Sequence, residues 1–438
     1  MISTATASAQ LHQRAVRYVP EGTHSSTRAR EPHPFYAERA LGAYIWDVDG
    51  TRHIDFGMGN SAVMLGHAHP DVTRAVIDSV TQGLTCGVET ESAVIAAETM
   101  AAMIPGFGQV RFAPTGTEAL MHALTVARQA TGRDGVAKAE GAYHGWSDSL
   151  WVSTWGTPEQ IGPKERPLSP PGSGGVARIA AETVVFPFND LGATEAILRE
   201  HAHRLAAVVL EPVLIDIGFI PAERAYLVGL RELTHELGIV LIFDELLTGF
   251  RLGPGGARAY FGVTPDLTTY GKALGNGYPV AAVEGSPELM QLTDTANGGP
   301  VQWVGTFNGH GVAMAAAAAA LPLLATGAVQ EHLDRLTDRL RDGFVAIGQR
   351  HRVPVVVSGM GGHFQPYFMP KAPTDYRSAM ATNAQVYRHL VAVAERHDIL
   401  LAPKALLHGA ISAAHSETDV DALLEAADEA LSTYSHQR

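Results

Sequence analysis

Cysteine is almost absent from this chain of 438 residues, which contains only Cys86. A single cysteine cannot form an internal disulfide, and this fits a protein of the reducing cytoplasm. Cys86 follows a threonine and precedes a glycine, with no base beside it, so we expect a structural cysteine rather than a nucleophile. The sequence therefore predicts a cytoplasmic protein that is stabilised without disulfides.

An excess of basic residues and long apolar runs are also lacking. The net charge of −13 argues against a general nucleic-acid binder. The longest apolar run, Val312 to Ala325, is too short to span a bilayer and contains Pro322. The first residues lack the apolar core of a signal peptide, and their arginines, which also occur in transit peptides, are better explained by a frayed arm and a short helix. We therefore expect neither nucleic acid nor a membrane as a partner.

Lysine is scarce, and its distribution singles out one position. The chain has five lysines: Lys138, Lys164, Lys272, Lys371 and Lys404. Lys272 comes just after a candidate strand, Leu267 to Tyr270, and opens a glycine-rich turn. A desolvated lysine loses its proton readily, which suits it to form a Schiff base with an aldehyde. From the local sequence alone, a helix cap or an ion pair with a nearby carboxylate is an equally good explanation.

Acidic residues follow two candidate strands. The run from Ile239 to Phe243 is continuously apolar and too short for a helix, which is typical of a strand buried on both faces. It ends at Asp244-Glu245, and the similar run from Leu205 to Leu210 ends at Glu211. In open α/β sheets, ligands bind at the carboxyl ends of the strands. These carboxylates are therefore candidate site residues.

A glycine and hydroxyl residues stand between a strand and a helix. The candidate strand Val110 to Ala113 is followed by Pro114 and then by Thr115-Gly116-Thr117, where a helix begins that continues to about Ala130. The free N–H groups and positive dipole of a helix start can bind a phosphate. The alternative is that a threonine simply caps the helix. The stretch lacks the Walker lysine and the Rossmann glycine triplet, so ATP and NAD are poor candidates.

Aromatic and histidine residues give weaker signals. Tyr143 follows the candidate strand Gly135 to Ala139 and could stack on a flat ring, although a core tyrosine is commoner. His67 and His69 resemble a zinc motif, but no third ligand accompanies them at a suitable spacing, so we expect no metal site there. The loop from Thr154 to Gly175 is rich in proline and glycine, which predicts either a lid or disorder.

Length and pattern predict an α/β protein with one large and one smaller domain. We expect an N-terminal arm and part of the small domain at 1–75, a large domain at 76–325 and a C-terminal small domain at 326–438. After about residue 325 the pattern changes to charged helices with short strands such as Val355 to Val357. Within the first segment, Tyr44 to Asp55 favours a hairpin with a turn at Asp49-Gly50.

Together, a phosphate cradle, a stacking aromatic, a carboxylate and a lysine are the groups that pyridoxal 5'-phosphate requires. Three motifs carry a resemblance to a known family: FDELLTGFR at 243–251, PDLTTYGKALGNGYPVAA at 265–282 and GTFNGHGVAMAA at 305–316. From about Val19 to its C-terminal region, the chain resembles the class III pyridoxal-phosphate-dependent aminotransferases of fold type I, in the branch of glutamate-1-semialdehyde 2,1-aminomutase. The resemblance implies a large domain with a mostly parallel seven-stranded sheet between helices, a smaller α+β domain and a homodimer.

The resemblance also implies roles for individual residues. Lys272 would form the Schiff base and move protons, Asp244 would pair with the pyridinium nitrogen, and Tyr143 would stack on the ring. The remaining cofactor residues would be Thr115, Gly116 and Thr117 at the phosphate, Leu246 on the other ring face, Glu211 and His144 around the ring, and Thr306, which would reach the phosphate of the partner subunit.

The substrate side departs from the family pattern. The stretch VPEGTHSSTR at 19–28 places Ser25 and Arg28 at the substrate carboxylate, although a surface arginine is the alternative for Arg28. Asp216 stands where the aminomutase pattern has an asparagine, and Leu407 stands where it has a glutamate. Losing that glutamate removes a polar contact for a diamine intermediate and favours a less polar amino acid as the substrate.

The sequence thus predicts an aminotransferase that moves an amino group from an α- or β-amino acid to a carbonyl acceptor through Lys272 and pyridoxamine phosphate. The alternatives on the same scaffold are an aminomutase and an amino-acid racemase or decarboxylase. Outside that class, a non-catalytic cofactor-binding protein is disfavoured because both Asp244 and Lys272 are intact. A metal hydrolase that uses some of the 20 histidines is the last alternative.

Overall fold

The structure is a computed structural model that describes residues 6–436, so the first five residues of the expected N-terminal arm lie outside it. The strands are β1 (Ala37–Leu41), β2 (Tyr44–Asp47), β3 (Arg52–Asp55), β4 (Gln109–Ala113), β5 (Gly135–Ala139), β6 (Thr183–Phe186), β7 (Leu205–Leu210), β8 (Val213–Leu214), β9 (Ile220–Pro221), β10 (Val240–Glu245), β11 (Leu267–Tyr270), β12 (Ala281–Gly285), β13 (Val356–Met360), β14 (His363–Tyr367), β15 (Ile399–Leu400) and β16 (Gly409–Ala410). The helices are α1 (Ala7–Ala15), α2 (Pro70–Thr81), α3 (Glu91–Met103), α4 (Gly116–Thr131), α5 (Pro158–Ile161), α6 (Ala177–Ala180), α7 (Leu191–His201), α8 (Arg224–Glu236), α9 (Gly256–Phe261), α10 (Pro287–Met290), α11 (Gly311–Ala325), α12 (Ala328–His351), α13 (Tyr376–Ala379), α14 (Ala384–Arg396) and α15 (Glu417–His436).

A seven-stranded sheet in the order β4-β12-β11-β10-β7-β5-β6 forms the centre of the fold. Its neighbouring strands are parallel except for β12, which runs antiparallel to both β11 and β4. Every residue of β7 and β10 is buried, as expected for apolar strands that are covered on both faces. The predicted mostly parallel seven-stranded α/β sheet is therefore confirmed.

The parallel strands bring the predicted site residues to one edge of the sheet. Phe243 of β10 pairs with Leu210 of β7, and Asp244 pairs with Thr269 of β11, so Glu211 and Lys272 come next to Asp244 where these strands end. The acidic pair lies inside β10, one to two residues beyond the predicted end of the strand. Main-chain pairing with β11 continues through Glu245, and the alternation of side chains points the two carboxylates to opposite faces.

Two smaller sheets join the beginning and the end of the chain. The predicted hairpin is present, because β2 and β3 pair in antiparallel fashion on either side of the turn at Asp49-Gly50. The short strand β15 then adds to β3 in parallel, and β1 completes this four-stranded sheet. A three-stranded sheet of β13, β14 and β16 lies between the C-terminal helices in sequence. Segments 1–75 and 326–438 thus share a sheet, as a common small domain requires, although the domain boundaries stay a prediction.

The helices and the possible metal ligands of the described residues bear on membranes and metals. Between residues 6 and 436 no single helix has the length and hydropathy to cross a membrane, and only α11 and α12 together, bent by 70° at their junction, pass that test. In the same range no group of three or more His, Cys, Asp or Glu side chains could hold a metal ion.

Candidate active site

Lys272 lines a cavity of about 480 Å³ at the carboxyl edge of the central sheet. Its backbone has a φ of 48°, a left-handed conformation that is uncommon for residues other than glycine and clusters at functional sites. Within residues 6–436 its ammonium has neither a hydrogen bond nor an ion pair. The helix cap and the ion pair that the local sequence left open are therefore not what the structure contains. The predicted site residues that line this cavity with Lys272 are Ser25, Arg28, Tyr143, Asp216 and Leu407.

Asp244 lies behind this cavity and is held in place by its neighbours. Its Oδ1 accepts hydrogen bonds from the Leu246 N–H at 3.1 Å and, at 3.4 Å, from the Thr269 hydroxyl. Its Oδ2 lies 2.7 Å from Nδ1 of His144. Burial lowers the pKa of His144, so a neutral ring donates from Nδ1, and its Nε2 has no partner among the described residues. His144 therefore orients the Asp244 carboxylate.

Glu211 connects the loop of Tyr143 to the sheet. One of its carboxylate oxygens accepts the Tyr143 N–H at 3.3 Å, and the other accepts the Ile215 N–H at 3.2 Å. Burial, followed by the negative charge of Asp244, raises the pKa of this carboxyl well above its usual range. A carboxyl that holds its proton in this position can donate a hydrogen bond to a ligand as well as accept one.

The start of α4 forms a narrow cradle beside the cavity. Thr115 is the N-cap, and its hydroxyl accepts the Glu118 N–H at 3.2 Å, a role that is compatible with a phosphate at the same helix start. A Cβ at Gly116 would lie 2.5 Å from a Leu246 methyl, and a Cβ at Gly145 would lie 2.5 Å from the Thr117 hydroxyl. At both positions a Cβ would have to displace its neighbour, so glycine is favoured there, and the free N–H groups of the helix start suit an anion.

A buried cation that sequence reasoning left unassigned supports the tyrosine loop. Lys138 on β5 is fully buried, and its ammonium donates to the carbonyl oxygens of Ala142, Leu150 and Val152 at 2.6, 3.1 and 2.6 Å. The Thr154 hydroxyl lies 3.2 Å away as a fourth acceptor. Burial lowers the pKa of Lys138 to about 7. Lys138 therefore bonds both ends of the segment 142–152, which contains Tyr143, to strand β5.

Two arginines, Arg28 and Arg30, also line the cavity. Arg28 has no ion pair within the described residues, whereas the nearby Arg30 contacts Glu395 at 2.9 Å and the Leu401 carbonyl at 2.7 Å. Arg28 is thus the guanidinium that remains available to a ligand. The hydroxyl of Ser25, also in the cavity wall, is 2.9 Å from that of Thr27.

Several residues of the cavity wall were not singled out from the sequence, and His408 and Trp155 are the two with the most distinctive contacts. His408 is buried, lies 2.8 Å from the Ser61 hydroxyl through Nε2 and 3.5 Å from the Asp216 carboxylate through Nδ1. Burial lowers its pKa to about 4. Trp155 stacks in parallel on Tyr143 with ring centroids 5.5 Å apart. His408 directly follows the stretch that resembles the family and ends at Leu407, and this position was the one sequence feature that pointed to the site. Trp155 lies in a loop whose sequence did not point to the site.

Thr306 is not part of this cavity. It is exposed in the segment that precedes α11, between the exposed side chains of Val304 and Phe307. Its predicted contact with a phosphate in the partner subunit therefore stays a prediction about a second chain.

The arrangement fits pyridoxal 5'-phosphate as a bound group. The glycine cradle at the start of α4 suits a phosphate, and the unpartnered Nε2 of His144 together with Asp244 suits a pyridine ring whose nitrogen carries a proton. Lys272 is an amine within the same cavity as Tyr143, whose ring is the right shape to cover a flat ligand. The Leu246 methyl groups lie close to Gly116 and Gly271, since a Cβ on either glycine would come within 2.5 Å of them.

Comparisons with known proteins agree with this geometry. The profile of the family described as aminotransferase class-III matches residues 25–387. A glutamate-1-semialdehyde 2,1-aminomutase of Chloroflexus aurantiacus is 39% identical over 420 residues, which are 94% of this chain and 93% of that protein. A crystal structure of an omega-transaminase from Sphaerobacter thermophilus matches with a TM-score of 0.93 and 37% identity over 98% of both chains. A transaminase with pyridoxal phosphate bound matches with a TM-score of 0.88 and 32% identity over 98% of both chains.

The predicted resemblance is therefore confirmed: the chain belongs to the class III pyridoxal-phosphate-dependent aminotransferases of fold type I, and glutamate-1-semialdehyde 2,1-aminomutases are among its relatives.

Proposed function

We propose that this protein is an aminotransferase that moves an amino group from an amino acid to a carbonyl acceptor. The observation that carries the proposal is the single cavity in which the free amine of Lys272 shares its walls with the guanidinium of Arg28 and the side chain of Leu407. An amine for chemistry, a cation for a carboxylate and an apolar surface in one cavity support an amino-acid substrate.

The cofactor is pyridoxal 5'-phosphate, whose aldehyde combines with amines and whose ring accepts electrons released at the amine carbon. Lys272 would hold the cofactor through its aldehyde carbon, and its free amine would accept the proton from the substrate's amine carbon and donate it to the cofactor's aldehyde carbon. Asp244 would stabilise the protonated ring nitrogen, with His144 keeping that carboxylate in position. Tyr143 and Leu246 would exclude water from the ring, and Thr115, Gly116 and Thr117 would bind the phosphate.

Leu407 favours a transferase over an aminomutase. An aminomutase must hold a diamine intermediate, and polar side chains near both of its amines serve that purpose. Leu407 offers no such contact. Of the two acids in the cavity wall, Asp216 lies beside His408 and Asp55 is bonded to His67. The aminomutase remains the second candidate because relatives at 39% identity bear that name.

One experiment separates these candidates. Purified protein loaded with pyridoxal phosphate is incubated with one amino acid at a time, and the released cofactor is identified by mass spectrometry. We expect an amino donor alone to convert the cofactor to pyridoxamine phosphate, and a carbonyl acceptor to restore it. Isomerisation of glutamate 1-semialdehyde without any second substrate, together with no net conversion by amino acids, would instead establish the aminomutase.

Arg28 provides a test of the substrate clamp. Arg28→Ala should raise the KM for carboxylate-bearing donors about tenfold to a hundredfold, because a charge-assisted pair of about 1.5–3 kcal/mol is lost. The KM for simple amines without a carboxylate should change less than twofold. Arg17→Ala removes an exposed arginine of the same N-terminal segment and serves as the matched control. Equal effects of Arg28→Ala on both kinds of donor would contradict the clamp.

We also propose that two copies form the working unit, with Thr306 of one reaching the cofactor phosphate of the other. The exposed Val304 and Phe307 beside Thr306 support this, since a second chain would cover them. The exposed Val88 precedes α3 and the exposed Val94 lies in its first turn. The Gly311 N–H bonds to the Thr85 carbonyl at 2.8 Å, which brings the segment before α3 close to the start of α11.

Light scattering should give twice the mass of one chain, and Phe307→Asp should reduce it to a single chain. A monomer in the wild type would contradict this proposal.

A further inference from the structure

A smaller pocket, here called the side pocket, adjoins the cavity of Lys272. Its volume is about 230 Å³, and its apolar lining consists of Trp155, Ile217, Tyr376, Ala405, Leu406 and Leu407. Trp155 and Leu407 also line the main cavity, as do Thr27 and Asp216. The two spaces therefore share four wall residues, which puts the side pocket next to the space that a ligand anchored at Lys272 would occupy.

The aromatic walls of the side pocket present their rings rather than their polar atoms. The Tyr376 hydroxyl donates to the Gly156 carbonyl at 2.8 Å, and the Trp155 indole N–H donates to the Asp216 carbonyl at 3.3 Å. Both polar groups are thus satisfied by the protein. Ile217 is fully buried behind them, with 1% of its surface exposed. The wall therefore suits an apolar group.

The polar residues of the side pocket do not require a charged ligand. The Thr27 hydroxyl is bonded to that of Ser25, and the Asp216 carboxylate lies beside His408 at the junction with the main cavity. Lys404 is exposed, so its ammonium can stay in water while its methylene groups cover apolar surface.

Two lining residues are held in strained backbone conformations. Trp155 has a φ of 54° and Leu406 a φ of 72°, values that bulky residues adopt rarely. Such conformations persist only where the surrounding structure enforces them, and they cluster at ligand sites. The side pocket is therefore shaped by the fold and is not a gap between loosely packed side chains.

We propose that the side pocket binds the side chain of the amine substrate and that this side chain is aromatic or bulky and aliphatic. The inference rests on the proposed function, which places the substrate's amine at Lys272 and its carboxylate at Arg28. An apolar cavity of about 150 Å³ is large enough for benzene, and the side pocket exceeds this at about 230 Å³. Each methylene that enters such a pocket changes kcat/KM about tenfold or more, so a phenyl-bearing donor should exceed its methyl-bearing analogue by at least that factor.

The first test measures binding without turnover. Cofactor-loaded protein is titrated in a calorimeter with 3-phenylpropanoate and with propanoate, which carry the carboxylate but no amine. We expect the phenyl compound to bind at least tenfold more tightly. Ala405→Phe fills the side pocket from its wall and should bring the two affinities within twofold of each other, while the affinity for propanoate stays unchanged. Ala325→Phe, which adds the same bulk at an exposed helix end, should keep the preference.

A second variant covers the case in which Ala405→Phe does not fold. Trp155→Ala removes a half-exposed wall of the side pocket and should weaken binding of 3-phenylpropanoate at least fivefold. The same variants are then assayed with phenylalanine against alanine and with 3-amino-3-phenylpropanoate against 3-aminobutanoate, where the ratio of kcat/KM should fall in parallel.

The outcomes separate this inference from the proposed function. Equal affinity of the wild type for 3-phenylpropanoate and propanoate would overturn the proposed role of the side pocket. A preference for the phenyl compound that survives in both folded variants would do the same. Neither result would affect the proposed amino transfer. Absence of amino transfer with every donor would overturn the proposed function, and the inference that depends on it, even if the phenyl compound binds. If Ala405→Phe abolishes both the preference in binding and the preference in kcat/KM for phenyl-bearing compounds, the inference is supported.

Discussion

Lys272→Ala should reduce amino transfer about 10⁴-fold or more, because a group that both attaches the cofactor and transfers protons is removed. The amine is free of protein partners within residues 6–436, so its loss leaves no buried charge unpaired. The variant should therefore fold normally and still bind pyridoxal phosphate through the remaining side chains. Borohydride reduction followed by peptide mass spectrometry should find the cofactor on the peptide of Lys272 in the wild type and on no peptide in the variant.

The matched control is Lys371→Ala, which removes an exposed lysine without ion pairs or hydrogen bonds in the described part of the chain. It should keep full activity. Retention of more than a hundredth of the wild-type rate in Lys272→Ala, or cofactor attached to Lys138 after reduction, would show that another amine does the chemistry.

Asp244→Asn should lower kcat/KM about 10²- to 10³-fold, since breaking a buried charge pair costs about 3–5 kcal/mol. Asparagine has nearly the same shape, so the contact with His144 can persist while the negative charge beside the ring nitrogen is lost. The loss should fall mainly on kcat, because the charge matters most when the ring accepts electrons. Steady-state kinetics together with the cofactor's dissociation constant will separate weaker binding from slower chemistry.

Glu245→Gln is the control that the chain itself offers. Glu245 is the neighbouring carboxyl, but it faces the other side of the sheet, where it accepts the N–H groups of Ala257 at 2.6 Å and Arg258 at 3.0 Å. Its replacement should lower the melting temperature and leave kcat nearly unchanged. Loss of kcat in Glu245→Gln equal to that in Asp244→Asn would mean that the effect comes from disturbing β10 and not from the cofactor.

The central sheet could be predicted because its signals are local. Apolar runs such as Ile239 to Phe243 are too short for helices, and the resemblance supplied the number and direction of the strands, which the structure confirms. The meeting of Asp244, Glu211 and Lys272 follows from the parallel order, since carboxyl ends of neighbouring parallel strands share one edge. The exact end of β10 was missed because acidic residues rarely continue a buried strand.

The walls of the cavity were harder to predict because they depend on contacts far apart in the sequence. The Asp216–His408 pair joins residues almost two hundred positions apart, and neither has a local pattern that points to the other. Trp155 stacks on Tyr143 across a loop that the buried Lys138 bonds at Ala142 and Val152, and the indole N–H is also held by the Asp216 carbonyl. Thr306 illustrates a different limit, since its predicted role belongs to an assembly of two chains.

The scarcity and placement of lysines also affect how this protein can be attached to solid supports. Of the five amine side chains, Lys138 is buried, Lys272 lies within its cavity, and Lys164 is paired with Asp375 at 3.0 Å. Among the side-chain amines, Lys371 and Lys404 should therefore react most readily with amine-reactive resins, which gives few orientations of attachment through lysine. Because Lys404 borders the side pocket, Lys404→Arg would retain its charge, remove that attachment point and leave the pocket open on the resin.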